Sequence, residues 1–455
     1  MGCGKIIKTT LRWTVAALSF FLVSCAGTDT FYRKVEESIS GQNYKDAVEE
    51  IDRNSDAYGD KNNVLYNLDK GIAFHYGGEY DSSNGYLLTA ERIIEDLYTK
   101  SISGQALSLL LNDNILPYEG EDFEKVFLNV ILALNFAQKG MPEDALVEAR
   151  KVDLKLKEYS RKYEEKNRYK EDAFIRYIAG VLYENDGEVN DAFISYKKSF
   201  EAYTSYSTEY GTNAPSFLLD DLVRTATQLS FNDEVERYLS LGGSAYLNDE
   251  KKRGSVVILV YTGMGPIKNE VRAGVSIPDS SGTLHTFQIA LPKFQPRYSG
   301  RITYEVSVTS ESDSLLQTTE VAEDITAIAG KSLDDRLTLV YLKSGGRALL
   351  KFFAAEKLKH EMKKGKKREA TNFLGSLAID LVVGATEKAD VRCWRLLPSE
   401  IQIARIYQTP GPCTITVQNK ESKRILKSET VNIRSGKTTF VIVNDMQIFN
   451  MSSKR

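Results

Sequence analysis

Three histidines, His75, His285 and His360, fall in three separate segments of a 455-residue chain, so no imidazole has a partner nearby in sequence. No His-Glu-x2-His, Gly-x-Ser-x-Gly or complete Walker-type Gly-x4-Gly-Lys-Ser/Thr motif accompanies them; Gly330-Lys331-Ser332 and Gly436-Lys437-Thr438 lack the first glycine. Carboxylates are the next resource. Tyr118-Glu119-Gly120-Glu121-Asp122-Phe123-Glu124 sets Glu121, Asp122 and Glu124 close together, where they either gather round a cation or decorate a helix start and favour its dipole. Gly263-Met264-Gly265-Pro266 would let a backbone approach an anion, but Pro266 lacks a donor and no helix opens after it, so it reads as a strand-connecting turn. The expectation is a chain with no catalytic residue, no metal and no cofactor. A hydrolase acting through a carboxylate pair is the enzymatic alternative.

One cysteine does have a chemistry assigned by its surroundings. Lys5, Lys8 and Arg12 form a basic leader, Trp13 to Val23 is an eleven-residue apolar run too short to span a bilayer, and Leu22-Val23-Ser24-Cys25 closes it. The closing run resembles a bacterial lipobox, which implies removal of residues 1–24 and acylation of Cys25; an uncleaved anchor, or an ordinary signal with a chance cysteine, is the other reading. Buried acyl chains (palmitate, for instance) would hold the protein at a membrane at about 0.8 kcal/mol per methylene. Ala26 rather than Asp follows, which favours the periplasmic face of the outer membrane. Cys3 leaves with the leader. Cys393 and Cys413 remain in a disulfide-permissive setting, either paired or as buried thiols, with no metal spacing around them.

The elements that must carry these residues begin with a repeat. Gly180-x2-Tyr183, with Ala192 twelve residues after the glycine and Tyr196 four further on, follows a tetratricopeptide pattern, and Asn185-Asp186-Gly187 supplies the turn. Gly71-x2-Phe74 with Ser83, Leu87 and Ala90 makes a second unit, and Ala133-x2-Phe136 with Ala145 and Ala149 a third. A weaker unit surrounds Tyr44 and Ala47. Successive units start 62 and then 47 residues apart rather than about 34, so Glu91 to Asn112 and Lys151 to Glu171 read as inserted helix. Leu218 to Leu239, with Asp221 and Arg224 on a polar face, reads as a closing helix pair.

β-Branched runs replace helical periods after a Gly/Ser- and charge-rich stretch at 241–253. Strands are expected at Ser255 to Tyr261, Thr283 to Leu291, Ile302 to Thr309, Ile401 to Tyr407, Thr414 to Gln418 and Thr438 to Val443. Glu323 to Lys364 and Asn372 to Ala385 favour helix. The fold class is therefore α+β and multidomain: a tetratricopeptide-like helical array over 25–240, a linker at 241–253, and a β-rich, sandwich-like domain over 254–450 with a helical insertion at about 323–386.

Tyr118 to Glu124, Ala145-Leu146-Val147-Glu148-Ala149-Arg150, Tyr261 to Lys268 and Ala389-Asp390-Val391-Arg392-Cys393-Trp394-Arg395-Leu396-Leu397-Pro398 together resemble an uncharacterised family of bacterial tetratricopeptide envelope lipoproteins. The resemblance implies work in envelope assembly or secretion, beside lipoproteins similar to curli-secretion pore subunits and to activators of peptidoglycan synthases. It brings no catalytic residue.

A net charge of −3 gives no basic surface for nucleic acid. The partner expected is a protein or peptide, with neighbouring envelope lipoproteins among the candidates, held in a groove lined by the first helices of the units. Peptidoglycan or another glycan is the competing ligand. Asp390, Arg392, Trp394 and Arg395 form either a core element or a docking edge. Lys363, Lys364, Lys366 and Lys367 sit in a basic run at Lys357 to Arg368 that meets anionic lipid or an acidic partner, or is simply solvated. Phe373 to Ala385 is too short to span and reads as a core helix.

Overall fold

The structure, a computed structural model, describes residues 24–108, 116–245, 253–278, 284–297, 300, 302–311, 313–337, 340 and 388–448. Ten helices form five consecutive pairs: α1 Ser24–Ser40 with α2 Tyr44–Arg53, α3 Asn63–Tyr76 with α4 Tyr80–Ser108, α5 Asp122–Gln138 with α6 Pro142–Lys162, α7 Ala173–Asp186 with α8 Val189–Glu209, and α9 Phe217–Gln228 with α10 Asn232–Ser240. One device turns every pair. Gln42, Gly78, Gly140, Gly187 and Ser230 all have positive φ, between 60° and 87°. The next N–H then reaches back five residues, as in Glu79 N to Phe74 O at 3.0 Å and Glu188 N to Tyr183 O at 2.9 Å, which satisfies carbonyls that the helix end leaves open. Two of the five turns manage this without glycine, and for that reason their units are faint in sequence.

The pairs close on small residues. A Cβ on Gly180 would stand 2.5 Å from the Tyr196 ring, and one on Gly71 would stand 2.7 Å from Leu87. Tyr196 thus lies on Gly180 itself rather than beside the contact. Gly71, Ala90, Ala145, Gly180, Ala192 and Tyr196 are buried, whereas Phe74, Phe136 and Tyr183 are half-buried at the rim. The extra residues between units lengthen the second helices, with α4 reaching 29 residues and α6 and α8 reaching 21 each.

Ten strands follow: β1 Gly254–Met264, β2 Ile267–Pro278, β3 Leu284–Gln295, β4 Tyr304–Thr309, β5 Ser314–Thr318, β6 Glu320–Asp324, β7 Pro398–Gln408, β8 Gly411–Asn419, β9 Ile425–Ile433 and β10 Thr438–Asp445. They make an inner sheet ordered β10-β1-β7-β6, an outer sheet ordered β5-β4-β8-β9, and a β2–β3 hairpin. The inner sheet is mixed, because β1 pairs parallel with β10 and antiparallel with β7. Alternation sorts its side chains. Val256, Ile258, Val260, Ala404 and Ile406 meet the outer sheet, while Val257, Leu259, Tyr261, Ile401 and Ile403 meet the helices. The β-half is therefore a two-sheet sandwich with one face laid on the helical array.

Four strands escape the sequence reading. β6 lies partly where helix is expected, since Glu-Val-Ala-Glu-Asp lacks β-branched alternation, and a helix, α11, starts only at residue 325 and is described through 337. Pro398 opens β7 opposite Met264, where a missing N–H at a strand's first residue is tolerated. Asn372 to Ala385, the lysine run and residues 341–387 as a whole lie outside the described residues.

Candidate functional site

All five first helices turn a face to the inner sheet or to the segment that leads into β7. The seam between them is polar. At its centre Arg405, placed by β7 alternation on the helical side, has a side chain only 1% exposed. Its Nη1 donates to Asp221 Oδ2 at 2.9 Å and to the Tyr196 hydroxyl at 2.8 Å, and its Nη2 donates to Glu184 Oε2 at 2.9 Å. Arg224 completes the square, donating to Asp221 Oδ1 at 2.7 Å and to Glu184 from two nitrogens at 2.8 Å. Tyr177 and Tyr407 donate to Asp221 at 2.8 and 3.1 Å. Burial pushes the Glu184 carboxyl up, but Arg224 and Arg405 overcome it and hold the group down at about 2. Asp221 and Arg224, read from sequence as a polar face, point inward; the sequence reading missed the seam, and the signal that could have found it is an Asp and an Arg three apart in an apolar helix, with an Arg on the buried phase of Ile401-x-Ile403-x-Arg405.

Nearer the first units, His75 joins α3, α5 and β1. Asn135 Nδ2 donates to Ser83 and Asn84, both at 2.8 Å, so its Oδ1 must accept, and His75 Nδ1 donates to it at 2.5 Å. The Tyr261 hydroxyl then donates to Nε2 at 2.9 Å. The bond from Tyr261 needs the neutral ring, because Nε2 can accept only when it carries no proton, whereas the Nδ1–H bond is made by either form. Burial lowers the His75 pKa from 6.5 to about 4 despite the Asn135 bond. The unfolded chain therefore binds the proton first, and stability contributed by the neutral ring is present above pH 6.5 and lost as pH falls toward 4, by roughly 3 kcal/mol in all. Titrating the unfolding free energy of wild type and His75→Gln should show this slope only in the wild type.

The third part of the seam holds the segment 389–397. Its apolar side chains join the core that the helices share with the inner sheet, and its polar bonds run to the helical half. Trp394 is 2% exposed and belongs to the core shared by the helices and the inner sheet, and its backbone N–H donates to Glu124 Oε1 at 2.7 Å. Arg392 donates to Asp390 Oδ2 at 2.6 Å, to Asn62 Oδ1 at 3.1 Å and to the Leu116 carbonyl at 3.0 Å. Arg395 and Arg297 share Glu36 Oε1 at 2.7 and 2.6 Å. These donors are engaged within the chain.

Glu121, Asp122 and Glu124 stand at the α5 N-terminus, and Glu124 Oε2 accepts from the Glu121 N–H at 3.0 Å and from the Tyr118 hydroxyl at 2.5 Å. Lys268 donates to Glu121 at 2.5 Å, and Arg336 contacts the same carboxylate. Gly263 to Pro266 is the β1–β2 turn, with Gly265 N donating to the Leu397 carbonyl at 2.7 Å. Beside α5 a cavity of about 20 Å³, one water in size, lies between Asp122, Tyr163 and Asp335. Among the described residues no group of three or more His, Cys, Asp or Glu gathers to hold a metal, and no helix is long and apolar enough to cross a membrane. Cys393 and Cys413 are free and lie in different core clusters. Cys25 falls in α1, its side chain outside the described residues, as are Lys363, Lys364, Lys366, Lys367 and His360.

The expected open groove along the first helices is not found, because the chain's own sheet covers them. No family model and no curated protein matches the sequence. Among solved structures the chain is similar to MamA AMB-1, with TM-score 0.30 and 17% identity over 47% of this chain and 92% of that one. It is also similar to the Rap conjugation gene regulator of the plasmid pLS20 in complex with the Phr* peptide, with TM-score 0.28 and 12% identity over 46% of this chain and half (50%) of that one. At these scores the likeness transfers neither activity nor partner. The helical half is a tetratricopeptide-like repeat array by its own turns and helix contacts.

Proposed function

We propose that the protein is a scaffold of the bacterial envelope, tethered through acylated Cys25 at the periplasmic face of the outer membrane, that binds a protein or peptide partner in envelope assembly or secretion. The observation that carries this reading is the sealed seam: carboxylates saturated by guanidinium and hydroxyl donors fix the helical wall to the sheet, so binding falls to the outward surfaces. The second helices expose Leu88, Val147, Leu154 and Ile194 there, at 40, 47, 64 and 40%. Apolar side chains exposed on three consecutive second helices, α4, α6 and α8, would give a protein partner its anchors. A photo-cross-linking residue at Leu154 or Ile194 should give an adduct of defined mass in intact envelopes, and Leu154→Asp should remove the adduct formed at Ile194. Equal adducts from the outer-sheet site Ile425 would contradict a helical docking wall. Cys25→Ser should lose lipid label and leave the membrane fraction; unchanged labelling contradicts the anchor.

A second reading, glycan or peptidoglycan binding, is favoured by one feature. The solvent face of the outer sheet aligns Ser314, Thr309, Thr414 and Thr430 in one row and Ser307, Thr416 and Ser428 in the next. Co-sedimentation with purified peptidoglycan that is lost in Thr414→Val/Thr430→Val would support it, and no co-sedimentation would remove it.

A further inference from the structure

We propose that the end of the molecule carrying the start of α1 rests on the bilayer, with the row of repeat turns pointing away from it. The inference rests on the acylation of Cys25 proposed above. α1 already begins at Ser24, so Cys25 stands in a helix rather than on a free tether. Phe31 is 4% exposed and packs on Tyr58 with ring centroids 5.4 Å apart, and the Tyr32 hydroxyl donates to Asp69 at 2.8 Å. At 1.5 Å per residue, the helix from Cys25 to its first buried ring is about 9 Å long. So short a helical connection transmits direction, which a flexible linker does not.

Neighbouring segments define the near end. Tyr118 N donates to the Lys61 carbonyl at 2.7 Å, and Arg392 joins Asn62 to Leu116. Lys61, Asp56, Asp60 and Pro117 are exposed there. Their charges sum to −1, so the tether, not attraction to anionic lipid, sets the pose. The far end holds the α1–α2 and α3–α4 turns, and the end of β10 is tied to it through Ser40 Oγ donating to the Met446 carbonyl at 2.6 Å and Asn444 Nδ2 donating to the Tyr44 hydroxyl at 3.0 Å. α3, fourteen residues long, separates Lys61 from Glu79 by about 20 Å. The strands of the inner sheet run along the array: the start of β10 meets Asn185 at the α7–α8 turn, and its end meets Gln42. The membrane thus lies on the opposite side of the sheet from β10, and the turns and the β10 edge face the compartment.

The test uses the full lipidated protein in phosphatidylcholine vesicles that carry a head-group-labelled acceptor lipid. A donor dye is placed on Lys61→Cys or on Glu79→Cys; Cys393 and Cys413 are buried and stay unlabelled. The protein should float with the vesicles, energy transfer should be severalfold stronger from position 61 than from 79, and a flexible Gly/Ser insert after Ala26 should erase the difference. Flotation with equal or reversed transfer overturns the orientation and leaves the anchor standing. Failure to float overturns the anchor and the orientation with it.

Discussion

Arg405→Met should lower the unfolding free energy by about 3–5 kcal/mol, the cost of breaking a buried ion pair by removing one partner. Glu184 and Asp221 would be left with Arg224 alone, in a site where the Asp221 side chain has no exposed surface. The seam should weaken before either half does. Denaturant titration checks the loss, and a variant with Arg405, Arg224, Glu184 and Asp221 all replaced by apolar residues of similar volume should recover much of it, because uncompensated charge rather than missing attraction drives the effect. A loss under about 1 kcal/mol would mean that the charges are solvated, as exposed pairs are, and that the seam is not sealed.

Trp394→Ala should cost a similar amount, about 3–5 kcal/mol, through lost burial and the cavity that remains. The ring lies in the core shared by the helices and the inner sheet, so the loss should appear as weakened attachment of the segment 389–397 to α5. Exchange of the Trp394 and Tyr118 amides, which donate to Glu124 and to the Lys61 carbonyl, should rise in that variant more than exchange in the sandwich. Protection lost first from β8 and β9 would contradict the placement.

The helical units were legible where glycine or alanine marks the close contact, at Gly71, Ala133 and Gly180; at the two glycines even a Cβ would collide with the partner helix. They were faint at Val35 and Val223, where the same offsets are kept with larger residues and the turns use Gln42 and Ser230. Central strands were legible from apolar runs such as Val256 to Val260. The edge strands β5, β6 and β9 were not, because an edge carries polar and charged residues that resemble loop or helix. What sequence could least reveal was the partner of the first helices. Periodicity shows that a helix face is apolar, but not that the covering surface comes from the same chain two hundred residues later. Arg405, alone among aliphatic neighbours, carried that information only once Asp221 and Glu184 stood opposite it.

The central claim, that the helical wall and the sandwich are one body joined at a sealed seam, is tested most directly by a denaturant titration of the processed protein, with fluorescence and helical ellipticity recorded on the same samples. Trp13 lies within the leader expected to be removed, so the emission belongs to Trp394 at the seam. The account predicts a blue-shifted, poorly quenched emission that is lost in a single transition coincident with the helical signal. Emission that shifts red and becomes quenchable at a lower denaturant concentration, with the helices still intact, would contradict it.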